Sequence, residues 1–301
     1  MKKNMFISAI FLAGVFSCLY FFLGKKLDMV LVVPSYNNIR YYERNLDSLI
    51  SQNYKNYRII YVDDNSSDGM SDKIVNYLKD KKVDFKAVEF TYDESISIED
   101  NTQKFGDLVN SESHFFTYVH NKKRTGALAN IYRAVHSAKD NEVMVLVDGD
   151  DWFPDRKVLK RLNNVYTGRK EVWLTHGRLK EYPNNSKAWC KPVPEELIMS
   201  NRFREFRCPS HLRTFYAWLF KKIKLEDLLF ENNFMQMAWD MALMYPMIEM
   251  AGHRHQFITK VNYIYNVENV INDNKVNPEL QNRLDVYIRS LEKYEPLNER
   301  N

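Results

Sequence analysis

VMVLVDGDDWFPDR, residues 143–156, runs an unbroken apolar strand straight into acidic residues. Asp148, Asp150 and Asp151 follow a segment that reads as buried, where unpaired carboxylates repel one another and lose hydration at a cost on the order of several kcal/mol. For oxygen ligands with no histidine or cysteine nearby, the strongest compensation is Mg²⁺ or Mn²⁺. These ions keep several waters and take one or two protein carboxylates plus substrate phosphates. The plainer alternative is a capping cluster, with Asp155 and Arg156 opening the next helix.

Upstream of this stretch, apolar strands alternate with amphipathic helices. MVLVV (29–33) is a continuous apolar run, as expected of a strand buried on both faces of a parallel sheet. Leu46, Leu49 and Ile50 within YYERNLDSLISQ give one buried helical face. RIIYV (58–62) then runs into DDNSSDG, and Ile74, Val75 and Leu78 mark the next helix. FTYVH (116–120) precedes a helix expected from about Thr125 to Ala138. The order βαβα predicts an α/β fold with a Rossmann-like, doubly wound, mostly parallel sheet. DFKAVEF is a third-strand candidate, and the aperiodic SISIEDNTQKFGDLVNSESH reads as an inserted excursion. In such sheets ligands sit beyond the carboxyl ends of the strands, so PSYNN, DDNSSDG and DGDD should meet at one edge.

Downstream of Lys157 the chain is rich in aromatics and arginine. An amphipathic helix is expected over 235–250, with Pro246 kinking it. YIYNVENVINDNKVN (263–277) reads as an extended Asn-rich loop in which Asn272 and Asp273 could close over a ligand, and the tail after Leu291 reads as frayed. Trp173, Trp189, Trp218 and Trp239 suit either a core or stacking on the flat face of a ligand.

The net charge of +4 over 301 residues is too small and too evenly spread to argue for nucleic acid. Cys18, Cys190 and Cys208 fall at no metal-like spacing, so free thiols are the plainer reading and a single Cys190–Cys208 bridge the alternative. At the N-terminus, Phe6 to Leu23 is mostly apolar between Lys2–Lys3 and Lys25–Lys26. With no small-residue cleavage site, it reads as an uncleaved single-pass membrane anchor, and as a cleaved secretory or periplasmic signal second. The flanking lysines leave its sidedness open. The expected division is therefore an N-terminal hydrophobic helix over 1–27 and a domain over 28–301.

Asp64, Ser66, Asp68 and Gly69 match the first half of an EF-hand loop, but Val75 stands where the bidentate Glu is needed, which argues against calcium. No glycine fingerprint follows the first strand, which disfavours a nicotinamide or flavin enzyme.

Taken together, VLVVPSYNN, YYERNLDSLISQNYKNYRIIYVDDNSSDG, NKKRTGALANIYRAVHSA and VLVDGDDWFPDR resemble glycosyltransferase family 2, inverting enzymes of the type A (GT-A) fold. The resemblance runs from Met29 to about Asp155 and returns near Asp240. It implies a donor half over 28–156 and an acceptor half over 157–301. It also implies nucleotide-sugar contacts at Pro34, Tyr36, Asp63, Asp64, Arg124 and Asp148, and a D-x-D metal motif at Asp148 and Asp150 for Mn²⁺ or Mg²⁺. DGDD is followed by WFP one residue earlier than the family's usual spacing. The general base is implied at Asp240, where Trp239 replaces the family's Glu. His211 and Arg213, ahead of the helix that carries Asp240, read either as acceptor or phosphate contacts or as packed or surface residues.

The expected reaction moves one sugar from a nucleotide-sugar, a UDP-sugar first, to a hydroxyl of a carbohydrate, glycolipid or glycoprotein. The competing reading is a catalytically silent carbohydrate-binding protein on the same fold. The sequons at Asn65 and Asn184 lean toward a cytosol-facing or bacterial protein, because a glycan on Asn65 would block the donor loop.

Overall fold

The structure is a computed structural model that describes residues 26–186, 190–207, 209–271 and 276–300. The expected N-terminal helix and membrane anchor, Cys18, Cys208, Trp189, Asn272 and Asp273 lie outside the described residues. Among the described residues no helix is long and apolar enough to cross a membrane.

β1 (Met29–Ser35), β2 (Tyr57–Asp63), β3 (Phe85–Phe90), β4 (Phe116–Asn121) and β5 (Val143–Leu146) are joined by α1 (Tyr42–Ile50), α2 (Met70–Asp80), α3 (Ile98–Asn110) and α4 (Ala127–His136). α5 (Val158–Tyr166) leads to β6 (Leu174–Tyr182) and β7 (Arg213–Tyr216). α6 (Trp239–Ala251), β8 (His255–Asn266) and α7 (Pro278–Ser290) follow. These strands form one sheet in the order β8-β6-β7-β5-β1-β2-β4-β3. Only β7 is antiparallel to its neighbours. β1 and β5 are buried along their whole length, as their apolar runs require. From β1 the chain builds outward to β2 and the edge strand β3, inserts β4 between them, then crosses to β5 on the other side of β1. The strand order therefore reverses between β1 and β5, and the crevice of the fold opens there.

Four expectations from the sequence are corrected. The supposed excursion contains α3, whose Ser97 side chain caps the Asp100 N–H. Its helical face was masked because Asn101 and Thr102 are buried on it beside Phe105 and Val109. The helix expected from 235 begins at Trp239, and it is not amphipathic, since Met241 through Ala251 are all buried. The first four residues of the supposed Asn-rich loop, Tyr263–Asn266, are the end of β8, paired in parallel with β6. The tail is not frayed: Tyr294 N–H donates to Glu249 Oε2 at 3.0 Å and Leu297 N–H to the Met250 carbonyl at 2.9 Å.

Candidate active site

The three strand ends meet as expected, and main-chain bonds fix them. Ser35 C=O accepts from Asp64 N–H at 2.9 Å, and Pro34 C=O accepts from Gly149 N–H at 3.1 Å. Gly149 is demanded by this closeness, because a Cβ there would lie 2.2 Å from Ser35 Oγ. The PSYNN loop is laced to DDNSSDG by Asn37 N–H on Ser66 Oγ (2.9 Å) and Ile39 N–H on Asp68 Oδ2 (2.9 Å).

Above this edge lies a cavity of about 560 Å³. Pro34, Tyr36, Asp64, Arg124, Asp148, Asp150, His211, Arg213 and Asp240 all line it. Asp63 does not. It is buried beneath the loop, accepting from Ser66 N–H, Ser71 Oγ–H and Tyr118 O–H. Those hydrogen bonds hold its carboxyl below the usual range although burial opposes them. Asp63 thus shapes the second-strand loop instead of facing the cavity.

Asp64 turns toward the segment after β4. Its Oδ1 accepts from Asn121 Nδ2 (2.8 Å) and from Thr125 N–H (3.0 Å) and Oγ1–H (3.2 Å), while Oδ2 accepts from Gly126 N–H (2.8 Å). Gly126 holds φ +91°, a conformation that glycine adopts without strain. The turn presents Arg124, whose guanidinium lies 3.9 Å over the Tyr36 ring.

The three aspartates of the opening stretch separate by role. Asp151 is fully buried, and its Oδ1 accepts from Asn266 N–H at 2.7 Å. Burial and the neighbouring Asp150 and Asp148 push its carboxyl well up. Asn45 Nδ2 satisfies the carbonyls of Asp148 (3.0 Å) and Asp151 (2.7 Å), and Tyr263 Oη accepts from Asp148 N–H (3.0 Å). Asp148 and Asp150 reach the cavity. Asp150 is nine-tenths buried, its carboxyl is raised by desolvation, and Asn269 Nδ2 bonds its Oδ2 at 2.7 Å. Asn269 offers a hydrogen bond but no positive charge.

Among the described residues no group of three His, Cys, Asp or Glu side chains is placed to hold a metal. Two oxygen-donor carboxylates at a cavity therefore fit a cation that completes its shell with water and phosphate oxygens, and do not fit an all-protein cage.

On the far wall, His211 stacks on Tyr263 with ring centroids 4.3 Å apart and planes 12° apart. Its Nε2 lies 3.9 Å from Asp148 Oδ2, and Arg213 Nη1 approaches its Nδ1 at 3.3 Å. Burial and Arg213 push the imidazole well below its ordinary range, so it is neutral at pH 7. Arg213 also pairs with Asp240, which opens α6. Sequence reasoning missed the cavity-lining Asn38, Glu181, Arg207, Gln236, Tyr265 and Asn269. Asn38 lies in the quoted PSYNN, and the alternation of β6 and β8 could have exposed Glu181 and Tyr265, whereas Arg207, Gln236 and Asn269 sit in irregular segments with no such pattern. Trp173 and Trp218 are core, edge to face at 4.9 Å, whereas Trp239 borders the cavity.

The glycosyl transferase family 2 model matches residues 30–95 and 93–229. The chain belongs to this family of glycosyltransferases. No curated protein sequence matches it. Among solved structures, residues 1–349 of S. aureus TarS are similar with a TM-score of 0.53 at 17% identity, over 80% of this chain and 60% of that one. The same piece of TarS in complex with UDP gives 0.54 at 16% identity, over 80% and 61%. The mannosyltransferase PcManGT from Pyrobaculum calidifontis, in complex with GDP-Man and Mn²⁺, gives 0.51 at 18%, over 80% and 57%. The chain thus spans about 60% of the TarS piece, and at these identities the likeness shows the GT-A fold alone.

Proposed function

We propose that the chain moves one sugar from a nucleotide-sugar, a UDP-sugar first, to a hydroxyl of a carbohydrate, glycolipid or glycoprotein, with inversion at the anomeric carbon. One observation carries this reading: a single cavity is lined by Asp64 and Arg124, by Asp148 and Asp150, and by Asp240. The UDP and GDP-Man complexes of the similar proteins support it.

In this reading Tyr36, Arg124 and the free acceptor direction of Asp64 take the nucleoside, while Asp63 fixes the loop from below. Asp148 and Asp150 would hold Mn²⁺ or Mg²⁺, which when bound offsets the charge of the diphosphate leaving group. His211 and Arg213 face the diphosphate or the acceptor. Asp240 takes the acceptor proton as the oxygen attacks and the anomeric bond to the diphosphate breaks. Residues 28–156 supply most of the donor side and residues 157–301 the acceptor side, with Asn266 and Asn269 crossing over to steady the aspartates. The apolar run Phe6–Leu23 supports a membrane tether ahead of residue 28, and a shift of the protein to the soluble fraction on deleting 1–27 tests it.

The test of the reaction is nucleotide release from a panel of UDP- and GDP-sugars with Mn²⁺ or Mg²⁺, beside Asp150→Ala. Metal-dependent release that the substitution removes is expected. A folded protein that neither binds nor cleaves any donor would leave the silent binding protein as the better reading.

A further inference from the structure

Arg133 on α4 is 1% exposed and does not line the cavity described above. Its guanidinium sits in an aromatic cage, 5.0 Å from the Phe90 ring and 5.8 Å from those of Tyr92 and Phe105. Burial lowers the guanidinium to about 10, which leaves it charged at neutral pH, and Asp64 is the acidic group that most opposes the lowering.

Two hydrogen-bond relays join these charges. Arg133 Nη2 donates to Thr125 Oγ1 at 2.6 Å, and that hydroxyl donates onward to Asp64 Oδ1 at 3.2 Å. Nη2 also donates to Asn130 Oδ1 at 2.6 Å, which accepts from Asn121 Nδ2 at 2.8 Å; the same Asn121 amide reaches Asp64 Oδ1 at 2.8 Å. The arrangement is not optimised for stability, because Arg133 Nε, Asn121 Oδ1 and Asn130 Nδ2 are buried without partners among the described residues. What it does supply is fixed placement. Asp64 is held on Oδ1 by three donors, while Oδ2 carries one bond from Gly126 N–H and so keeps an acceptor direction.

We infer that Arg133 is a positioning residue for donor binding: through Thr125 and Asn130 it orients the Asp64 carboxylate and the turn that carries Arg124 over Tyr36. The inference rests on the donor reading above. With the relay intact the nucleoside meets a preformed pocket. Without it, donor binding must also order Asp64 and residues 121–126, which weakens affinity.

The test is calorimetric titration of the full chain with UDP and Mn²⁺, alongside thermal melting and donor kinetics, for wild type, Arg133→Met, Arg133→Lys and Thr125→Val. Arg133→Met should weaken UDP binding by about ten- to a hundredfold, the size of a lost charged hydrogen bond. The loss should fall on donor KM more than on kcat, and Arg133→Lys, which keeps a cation behind Thr125, should recover most of it. Should Arg133→Met not fold, Thr125→Val interrupts one relay with Arg133 in place and should still weaken UDP several-fold. Variants that melt earlier yet bind UDP as wild type does would make Arg133 purely structural and overturn the inference. If wild type itself binds neither UDP nor a GDP-sugar, the donor reading falls and this inference with it.

Discussion

Arg213 Nη2 donates to Asp240 Oδ2 at 2.7 Å, with the arginine side chain 5% exposed and the aspartate side chain 30% exposed. A buried cation therefore aims a carboxylate that still reaches the cavity. Asp240 Oδ1 accepts from Met241 N–H at 3.0 Å, which steadies it from the helix side. Asp240→Asn keeps an acceptor for Arg213 but removes the carboxylate proposed as the base. Transfer should fall by about 10²–10⁴-fold while UDP affinity stays within a few-fold. Single-turnover transfer beside nucleotide titration checks this, and retained turnover would exclude Asp240 as the base.

Gly149→Ala places a methyl group 2.2 Å from Ser35 Oγ and 2.9 Å from Asn38 Nδ2. β1 and the acidic turn must then separate. A stability loss of about 1–3 kcal/mol is expected, together with weaker metal-dependent donor binding. Urea unfolding and UDP titration read the two effects, and wild-type values in both would mean that the turn tolerates a side chain.

The buried pair Arg204–Glu249 anchors the C-terminal segment. Arg204 Nε and Nη2 take both Glu249 oxygens at 2.7 and 2.9 Å, and its remaining donors reach the carbonyls of Ile288, Leu291 and Glu292. Arg204→Met leaves a buried carboxylate and three carbonyls without this partner, at an expected cost of about 3–5 kcal/mol. Arg204→Met/Glu249→Met should regain much of the loss. Denaturant midpoints decide, and a double-variant loss equal to the sum of the two single losses would mean that the pair is not coupled.

Burial and the neighbouring His255 and Arg213 push His176 down to about 3 from 6.5. A histidine whose folded pKa is depressed takes up protons more readily when unfolded. Its contribution is therefore complete above about pH 6.5 and is lost as the pH falls toward 3. By pH 5 the loss should be about 2 kcal/mol. His255 is lowered too and acts in the same direction. His176→Gln should flatten the decline in denaturant stability between pH 6.5 and 5, and parallel curves would contradict the assignment.

How much of this was legible depended on whether the chemistry lay in unbroken runs. β1, β2, β4 and β5 were readable because strands buried on both faces tolerate little but apolar side chains. Their polar ends gave the convergence of three loops and most of the residues that line the cavity at that edge. α3 was hidden by the buried polar pair Asn101 and Thr102, and α6 was misread because burial on every side erases periodicity. The roles of Asp63, Asp64 and Asp151 could not be separated in advance. Adjacent aspartates look alike in sequence and differ only through partners such as Tyr118, Thr125 and Asn266, which lie about 55 to 115 positions away.

The acidic turn is finished by residues that emerge late in synthesis. Asp150 waits for Asn269, 119 positions further on, and Asp151 for the Asn266 N–H, 115 positions on. On the ribosome, a chain that has completed β5 therefore carries this acidic turn without those partners until residues 266–269 have emerged. Nucleotide affinity should then appear abruptly once residue 269 has emerged, and a nascent chain stopped before residue 266 should have little of it.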